Sequence, residues 1–487
     1  MTADKARAKT VLIICHAFPP VGGMAVQRPL KFARYLGGFG WQVIVLTSAD
    51  VYAATMDPSL LQEVPADVTI VRVPDPVSKW MGKAISKTTT SGGPTHRPTR
   101  LPWFKRMVRS TLKKLKQALF IPDEHVVWAL FAAREGSKLA KELGVDCVYT
   151  TSGPNSTHVA GLLIHWLTRT KWVADFRDPW TDNFHFSHRG FRRRLECWME
   201  RQVFQRASAV ITVTDGFKAL FDRKYPHVRE NIRVIRNGVD PSDFPSESPY
   251  PKSDRFTLLY AGILYPARSP AVFFQALSRL LRYGYVRRDE IRVQFAGVFD
   301  YPGYEDNRRL VEQLDLQEVV EVLGYLPRKE VLARMMSADA LLLFGDRPSS
   351  ARDYVPGKVY EYLYAGRPIL ALLPDCEAAD IIRSANGGIV VDPYKPEAVA
   401  EALRSLMSWR SEDGQDAQRP GKVEMYTRQK QTQQLAALMD RLVQTGAARS
   451  QGRRRGRGSH VVERLGGHTS SAADSRMDSR GGSTEEA

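Results

Sequence analysis

Cysteine is scarce in this chain. Cys15, Cys147, Cys197 and Cys376 are the four present, and no two stand in a Cys-x-x-Cys pair. That spacing argues against a zinc site and against a disulfide framework, and it fits a reducing cytoplasm. Long apolar runs are missing as well: nothing reaches the roughly eighteen residues a membrane-spanning helix needs. The apolar run after the N-terminus is too short for a signal peptide, so neither secretion by that route nor a membrane span is expected. Acidic residues are absent from Lys79 to Lys116, where eleven basic residues supply most of the formal net charge of +17. A basic excess raises nucleic acid as a partner, but no zinc finger, RNP-type aromatic sequence or helix-turn-helix accompanies it, and no nucleic acid is expected.

What is present is a repeating alternation of short apolar runs and helical patterns. A chain of 487 residues exceeds one compact core and suggests two domains. In the first, Thr10 to Cys15 and Trp41 to Leu46 read as strands around a helix bearing Leu30, Phe32, Ala33 and Leu36. The turn after the first strand carries Gly22 and Gly23, which bring backbone N–H groups close to a bound phosphate. Further strands are read at Cys147 to Thr151, Trp172 to Phe176, Ala209 to Val213 and Ile232 to Ile235. Helices are read near Val127 to Leu143 and from Glu196 to Ala207, and His158 is placed on a loop. The stretch 241–255, with four prolines, is the expected linker. Phe256 to Ala261, Val293 to Ala296, Val320 to Leu323, Ala340 to Phe344, Ile369 to Leu372 and Gly388 to Val391 then give a second set. Continuous apolar strands alternating with helices predict an α/β fold of doubly wound parallel sheets, with ligands at the carboxyl ends of the strands.

The richest stretch runs from Asp353 to Leu370. Pro356-Gly357 makes a turn, Val359 to Tyr364 is helix-compatible, and Gly366 with Pro368 stops the helix. The start of such a helix offers unpaired N–H groups and the positive end of its dipole, which together suit an anion. Lys358 adds a full charge there. Glu361, three residues on and so on the same face, can accept hydrogen bonds from a pair of hydroxyls.

These blocks resemble the sugar-nucleotide-dependent glycosyltransferases of the GT-B fold, the retaining family 4 in particular. Asp353 and Glu361 keep that family's spacing of two acids before Ala365-Gly366-Arg367-Pro368, with Asp where the family usually has Glu. Asp175-Phe176-Arg177-Asp178-Pro179-Trp180 resembles the sequence of one branch, at the place where other members carry an important His. The resemblance implies two Rossmann-like domains facing a central cleft. It implies a donor site at Gly22, Gly23, Arg268, Tyr325, Asp353, Lys358 and Glu361, and catalytic or acceptor-side roles for Arg177, Asp178 and His158. Relatives have Gly-Arg where this chain has Gly262-Ile263, so only Arg268 remains of a pair of cations. The implied reaction moves a sugar from a nucleoside-diphosphate sugar to a hydroxyl of a glycan or lipid-linked acceptor, with retention, in cell-surface polysaccharide or glycolipid synthesis. No metal or cofactor is implied, the sugar nucleotide being a substrate. A sugar-nucleotide 2-epimerase of the same fold and a non-catalytic membrane-associated scaffold are the alternatives.

The resemblance implies domains at 1–240 and 256–410, and a C-terminal helix within 411–445 that returns to the first domain. Residues 79–120 form an insertion in which 103–119 has the pattern of a basic amphipathic helix. That helix either attaches the protein to an anionic membrane, placing it at the inner face of the plasma membrane, or packs on the first domain. Residues 446–487, poor in apolar side chains, are expected to be disordered.

Overall fold

The computed structural model describes residues 7–50, 56–79, 120–183, 188–301, 304–345, 352–412 and 423–458. The expected helix at 103–119 therefore lies outside the described residues.

Two parallel sheets organise the described residues up to Asp440, which form one compact unit. The first has seven strands in the order β3-β2-β1-β4-β5-β6-β7. They are β1 (Lys9–Ile14), β2 (Trp41–Ser48), β3 (Thr69–Val73), β4 (Cys147–Thr151), β5 (Lys171–Phe176), β6 (Ala209–Thr212) and β7 (Ile232–Val234). Helices α1 (Met24–Leu36), α2 (Val126–Glu142), α3 (Ser156–Thr168), α4 (Gly190–Arg206) and α5 (Asp215–Lys224) connect them. Strand β3, an edge strand with only Val73 buried, is an element the sequence reading lacks.

The second sheet has six strands in the order β10-β9-β8-β11-β12-β13. They are β8 (Phe256–Ala261), β9 (Ile291–Ala296), β10 (Val320–Gly324), β11 (Ala340–Phe344), β12 (Ile369–Leu372) and β13 (Gly388–Val391). Helices α6 (Ala271–Arg282), α7 (Asp306–Gln313), α8 (Arg328–Ser337), α9 (Lys358–Ala365), α10 (Glu377–Ser384) and α11 (Pro396–Glu412) cover it. Why the strands read as unbroken apolar runs is visible in β8 and β11. Phe256, Leu258, Ala340 and Leu342 fill the core on one face, and Leu259, Ala261, Leu341 and Leu343 fill the core on the other. Both faces are covered by helices, so no position is left for a polar residue to alternate.

Between the sheets, Pro241–Asp243 forms a single turn and 244–255 contains neither helix nor strand. The last helix, α12 (Arg428–Gly458), returns to the first sheet: Asp440 accepts a hydrogen bond from Trp41 Nε1 at 3.1 Å and pairs with Lys9. It continues to Gly458, into the stretch expected to be disordered from 446, and the rest of that stretch lies outside the described residues.

Candidate functional site

The carboxyl ends of both sets of strands carry the residues the sequence singles out. On the first domain, the loop after β1 leads to Gly23, which precedes α1 with φ of 95° and gives the helix no side-chain cap. Gly23, Met24 and Ala25 are exposed, so the N–H groups of this first turn remain open to an anion. On the second domain, α9 begins after Gly357, again without a side-chain cap. The two helix starts meet: a Cβ built on Gly357 would lie 2.9 Å from the Met24 side chain. A positive dipole end from each domain therefore lies within a side chain's reach of the other.

A floor of bare backbone lies beside them. A glycine with positive φ follows β8 and β9 and ends β10, namely Gly262 at 133°, Gly297 at 124° and Gly324 at 71°. A Cβ on Gly297 would collide with the Gly262 carbonyl, and one on Gly262 would collide with the Lys358 ammonium. Only glycine lets these backbones approach so closely. The pattern was readable in Ala-Gly-Ile, Ala-Gly-Val and Leu-Gly-Tyr, but the role of Gly297 was missed.

Lys358 stands over this floor. Its Nζ donates to Tyr260 Oη at 3.2 Å and lies 4.3 Å from the centre of that ring. Arg268 is half-buried, 5.8 Å from the Tyr265 ring, and its charge bears on the phenol of Tyr362, one turn along α9 from Lys358. Burial pushes the Tyr362 hydroxyl far up, so it stays protonated, and it accepts the Ala261 N–H at 2.9 Å. Tyr325 follows Gly324 at the sheet edge and is 77% exposed.

Glu361 is held by an arginine that the sequence did not suggest. Arg328 Nη1 donates to Glu361 Oε1 at 2.8 Å, and Arg328 Nη2 reaches Asp243 at 3.1 Å. Asp243 also pairs with Lys31 of α1, whose Nζ lies 2.6 Å from Glu63 and 2.8 Å from Asp240. A run of alternating charge, Lys31, Asp243, Arg328, Glu361, thus links the two domains. Burial works against the Arg328 charge, but Glu361 and Asp243 outweigh it and raise its pKa.

Asp353 is turned towards the start of α5 in the first domain, where a Cβ on Gly216 would strike it. Next to it, Tyr354 packs edge-on against Phe217 at 4.7 Å. Glu377 of the second domain accepts the N–H groups of Asp215 and Gly216 at 3.1 and 3.0 Å and pairs with Arg236. The anion site at the start of α5 is therefore taken by the protein's own carboxylate.

The Asp175 to Trp180 block divides between scaffold and cleft. Asp175 is fully buried and accepts from Arg28 Nε at 2.7 Å and Nη2 at 3.2 Å, with Tyr149 on the same carboxylate. Arg177 ties the loop after β4 to the first turn of α1, through Ser152 O and, at 2.8 Å, Ala25 O. Asp178 is exposed, and its charge, after burial, helps push the Tyr354 phenol up, so it faces the second domain. His158 corrects the sequence reading. It lies in α3, not in a loop, with no exposure, its ring stacked on Phe176 at 4.3 Å and its Nδ1 2.9 Å from Thr150 Oγ1. Burial lowers its pKa to about 3. A neutral imidazole behind Phe176 does not line the cleft.

Residues 22–238 match the family model described as a glycosyl transferase 4-like domain, and residues 244–422 match the one described as glycosyl transferases group 1. The chain belongs to the GT-B glycosyltransferase superfamily. Among GT-B structures it is similar to a glycosyltransferase from Rickettsia africae, with a TM-score of 0.60 at 14% identity over 90% of this chain and 99% of that one. It is also similar to Alr3699/HepE of Anabaena, solved with UDP and glucose, with a TM-score of 0.54 at 15% identity over 90% of this chain and 100% of that one. Two curated relatives are each 25% identical. One is WcaL of Escherichia coli K12, provisionally named a colanic acid biosynthesis glycosyltransferase, over 42% of this chain and 49% of its own length. The other is the D-inositol 3-phosphate glycosyltransferase of Kineococcus radiotolerans, over 43% and 51%. The chain spans about half the length of the curated relatives it matches.

Proposed function

We propose that this GT-B chain is a family 4 enzyme that transfers a hexose from a nucleoside-diphosphate sugar to a hydroxyl of a glycan or lipid-linked acceptor, with retention, in cell-surface polysaccharide or glycolipid synthesis. The observation that carries it is the meeting of the α1 and α9 starts over the glycine floor, with Lys358 beside them. A diphosphate seated there meets N–H groups from both domains and the cations Lys358 and Arg268. As the bond from the anomeric carbon to the diphosphate oxygen breaks, negative charge grows on the leaving phosphate, where these groups stabilise it. The acceptor oxygen bonds the same face of that carbon, and the leaving phosphate oxygen takes its proton. No side-chain base is then needed, which agrees with the burial of His158. Since Lys358 and Arg268 supply the positive charge, no metal or cofactor enters the step, and turnover in EDTA should persist. A loss restored only by Mg²⁺ or Mn²⁺ would contradict this.

Thermal-shift screening of sugar nucleotides tests the reading, because a ligand at a hundred times its Kd stabilises by about 2.7 kcal/mol. Glu361→Ala should weaken donor binding by about 1.5–3 kcal/mol by removing a charged acceptor for the ribose hydroxyls. Arg328 keeps Asp243 as a partner in that variant, so the fold should survive. Unchanged donor affinity in a folded variant would remove Glu361 from the site.

The acceptor side is proposed to work at the inner face of the plasma membrane, held there by residues 103–119, in a cytoplasmic protein. Among the described residues no helix is long and apolar enough to cross a membrane. Each basic residue near an anionic leaflet contributes about 1 kcal/mol. Replacing Lys105, Arg106, Arg109 and Lys113 with Gln should therefore cut binding to anionic vesicles by several orders of magnitude and leave donor affinity alone. Co-sedimentation of the variant equal to that of the parent would make the segment a packing element.

A further inference from the structure

Three side chains outside the cleft machinery converge at the carboxyl ends of β1 and β3. His16 follows β1, Asp75 follows β3 and His125 immediately precedes α2. His16 Nε2 and His125 Nδ1 each lie 2.9 Å from the same oxygen, Asp75 Oδ2, and Ser78 Oγ donates to that oxygen at 2.7 Å. Three donors crowd one carboxylate oxygen, while Oδ1 takes the Ser78 N–H at 3.1 Å. The two rings stand 3.8 Å apart, and Trp128 packs edge-on against His16 at 5.0 Å.

We propose that His16, Asp75 and His125 form a binding site for a divalent transition cation of the Zn²⁺ type. The three ligand atoms lie within 4.8 Å of one another, and no other such group of His, Cys, Asp and Glu occurs among the described residues. A tetrahedral ion with bonds of about 2.0–2.2 Å needs its ligands slightly over 3 Å apart, a small adjustment from the positions seen. One cation would replace the two ring protons that now share Oδ2. Two imidazoles and one carboxylate suit zinc and its neighbours, whereas Mg²⁺ and Ca²⁺ prefer sets made only of oxygen.

The ligands are also mounted rigidly. The His16 carbonyl accepts from Ser48 N at 3.1 Å and Thr47 Oγ1 at 3.0 Å, and the Asp75 N–H donates to Asp50 at 3.1 Å. His125 is the partly exposed member, which gives an ion a way in. Because Asp75 and His125 flank residues 80–119, a bound ion would join the chain on the two sides of that segment. No cysteine takes part, so cysteine spacing could not reveal the site.

The full chain, made without a polyhistidine tag and stripped with chelator, should be titrated with Zn²⁺ against a chromophoric competitor. One site per chain with low-micromolar or tighter affinity is expected, unaffected by equal Mg²⁺. His125→Ala, at a helix start and partly exposed, should fold normally by circular dichroism and weaken the site at least tenfold. His16→Gln should do the same. Zinc-edge X-ray absorption should report two imidazole nitrogens in the first coordination shell. Absence of a single site, or equal affinity in the folded His125→Ala chain, would overturn the proposal and leave a purely hydrogen-bonded cluster.

Discussion

Lys358→Ala is expected to lower turnover about 10²-fold or more with whichever sugar nucleotide is used, the range found when one preorganised charge-stabilising donor is removed. The ammonium lies in the first turn of α9, pressed over Gly262 and steadied by Tyr260, where it adds a full charge to a helix dipole. It matters most where charge develops, so kcat should fall more than donor affinity, and Lys358→Arg should recover part of the loss. Arg268→Ala should act in the same direction. If kcat is unchanged while KM rises, Lys358 binds ground state and transition state alike, and the leaving-group role fails.

The second large effect is structural. Asp175→Asn should destabilise the protein by about 3–5 kcal/mol, read as a drop in the urea midpoint, because it leaves a buried arginine without its counter-charge. Arg28 is 1% exposed and Asp175 is not exposed at all, so water cannot replace what is lost. The carbonyls of Ile235 and Arg236 still accept from Arg28, at 2.9 Å each, but they supply dipoles and no charge. A loss below about 1 kcal/mol, the value typical of exposed pairs, would mean that solvent reaches the site.

How far the sequence carried the interpretation differs element by element. Strands β4, β8, β11, β12 and β13 have the bounds read from the sequence; in β11 and β12, buried at every position, the strand is apolar throughout because both faces are covered. Strand β3 escaped notice since its burial is partial and its run short. The start of α3 was hidden by Ser156, Thr157 and His158, polar residues that signal a loop locally but are buried in the fold. Local spacing did put Lys358 and Glu361 on one turn of helix. It was silent on Arg328, on Asp243 and on the collision between Gly297 and Gly262, because those pairings join residues tens of positions apart. The aspartates divided likewise: Asp175 and Asp178 sit three residues apart in one block, yet one anchors an interior arginine and the other faces the cleft.

The shared carboxylate of Asp243 bears on how this protein tolerates change. Lys31, Asp243, Arg328 and Glu361 form a line in which each charge answers the one before it. Removing a member takes one partner from its neighbour, and removing that neighbour as well relieves part of the cost. Paired substitutions along the line should therefore depart from additivity by about 0.5–3 kcal/mol, whereas pairs drawn from distant surfaces should add. The line starts on α1, crosses the linker and ends at the acid assigned to the ribose. Exchange of any one residue for its opposite charge would have to be answered at the next, so the four positions can drift only as a set.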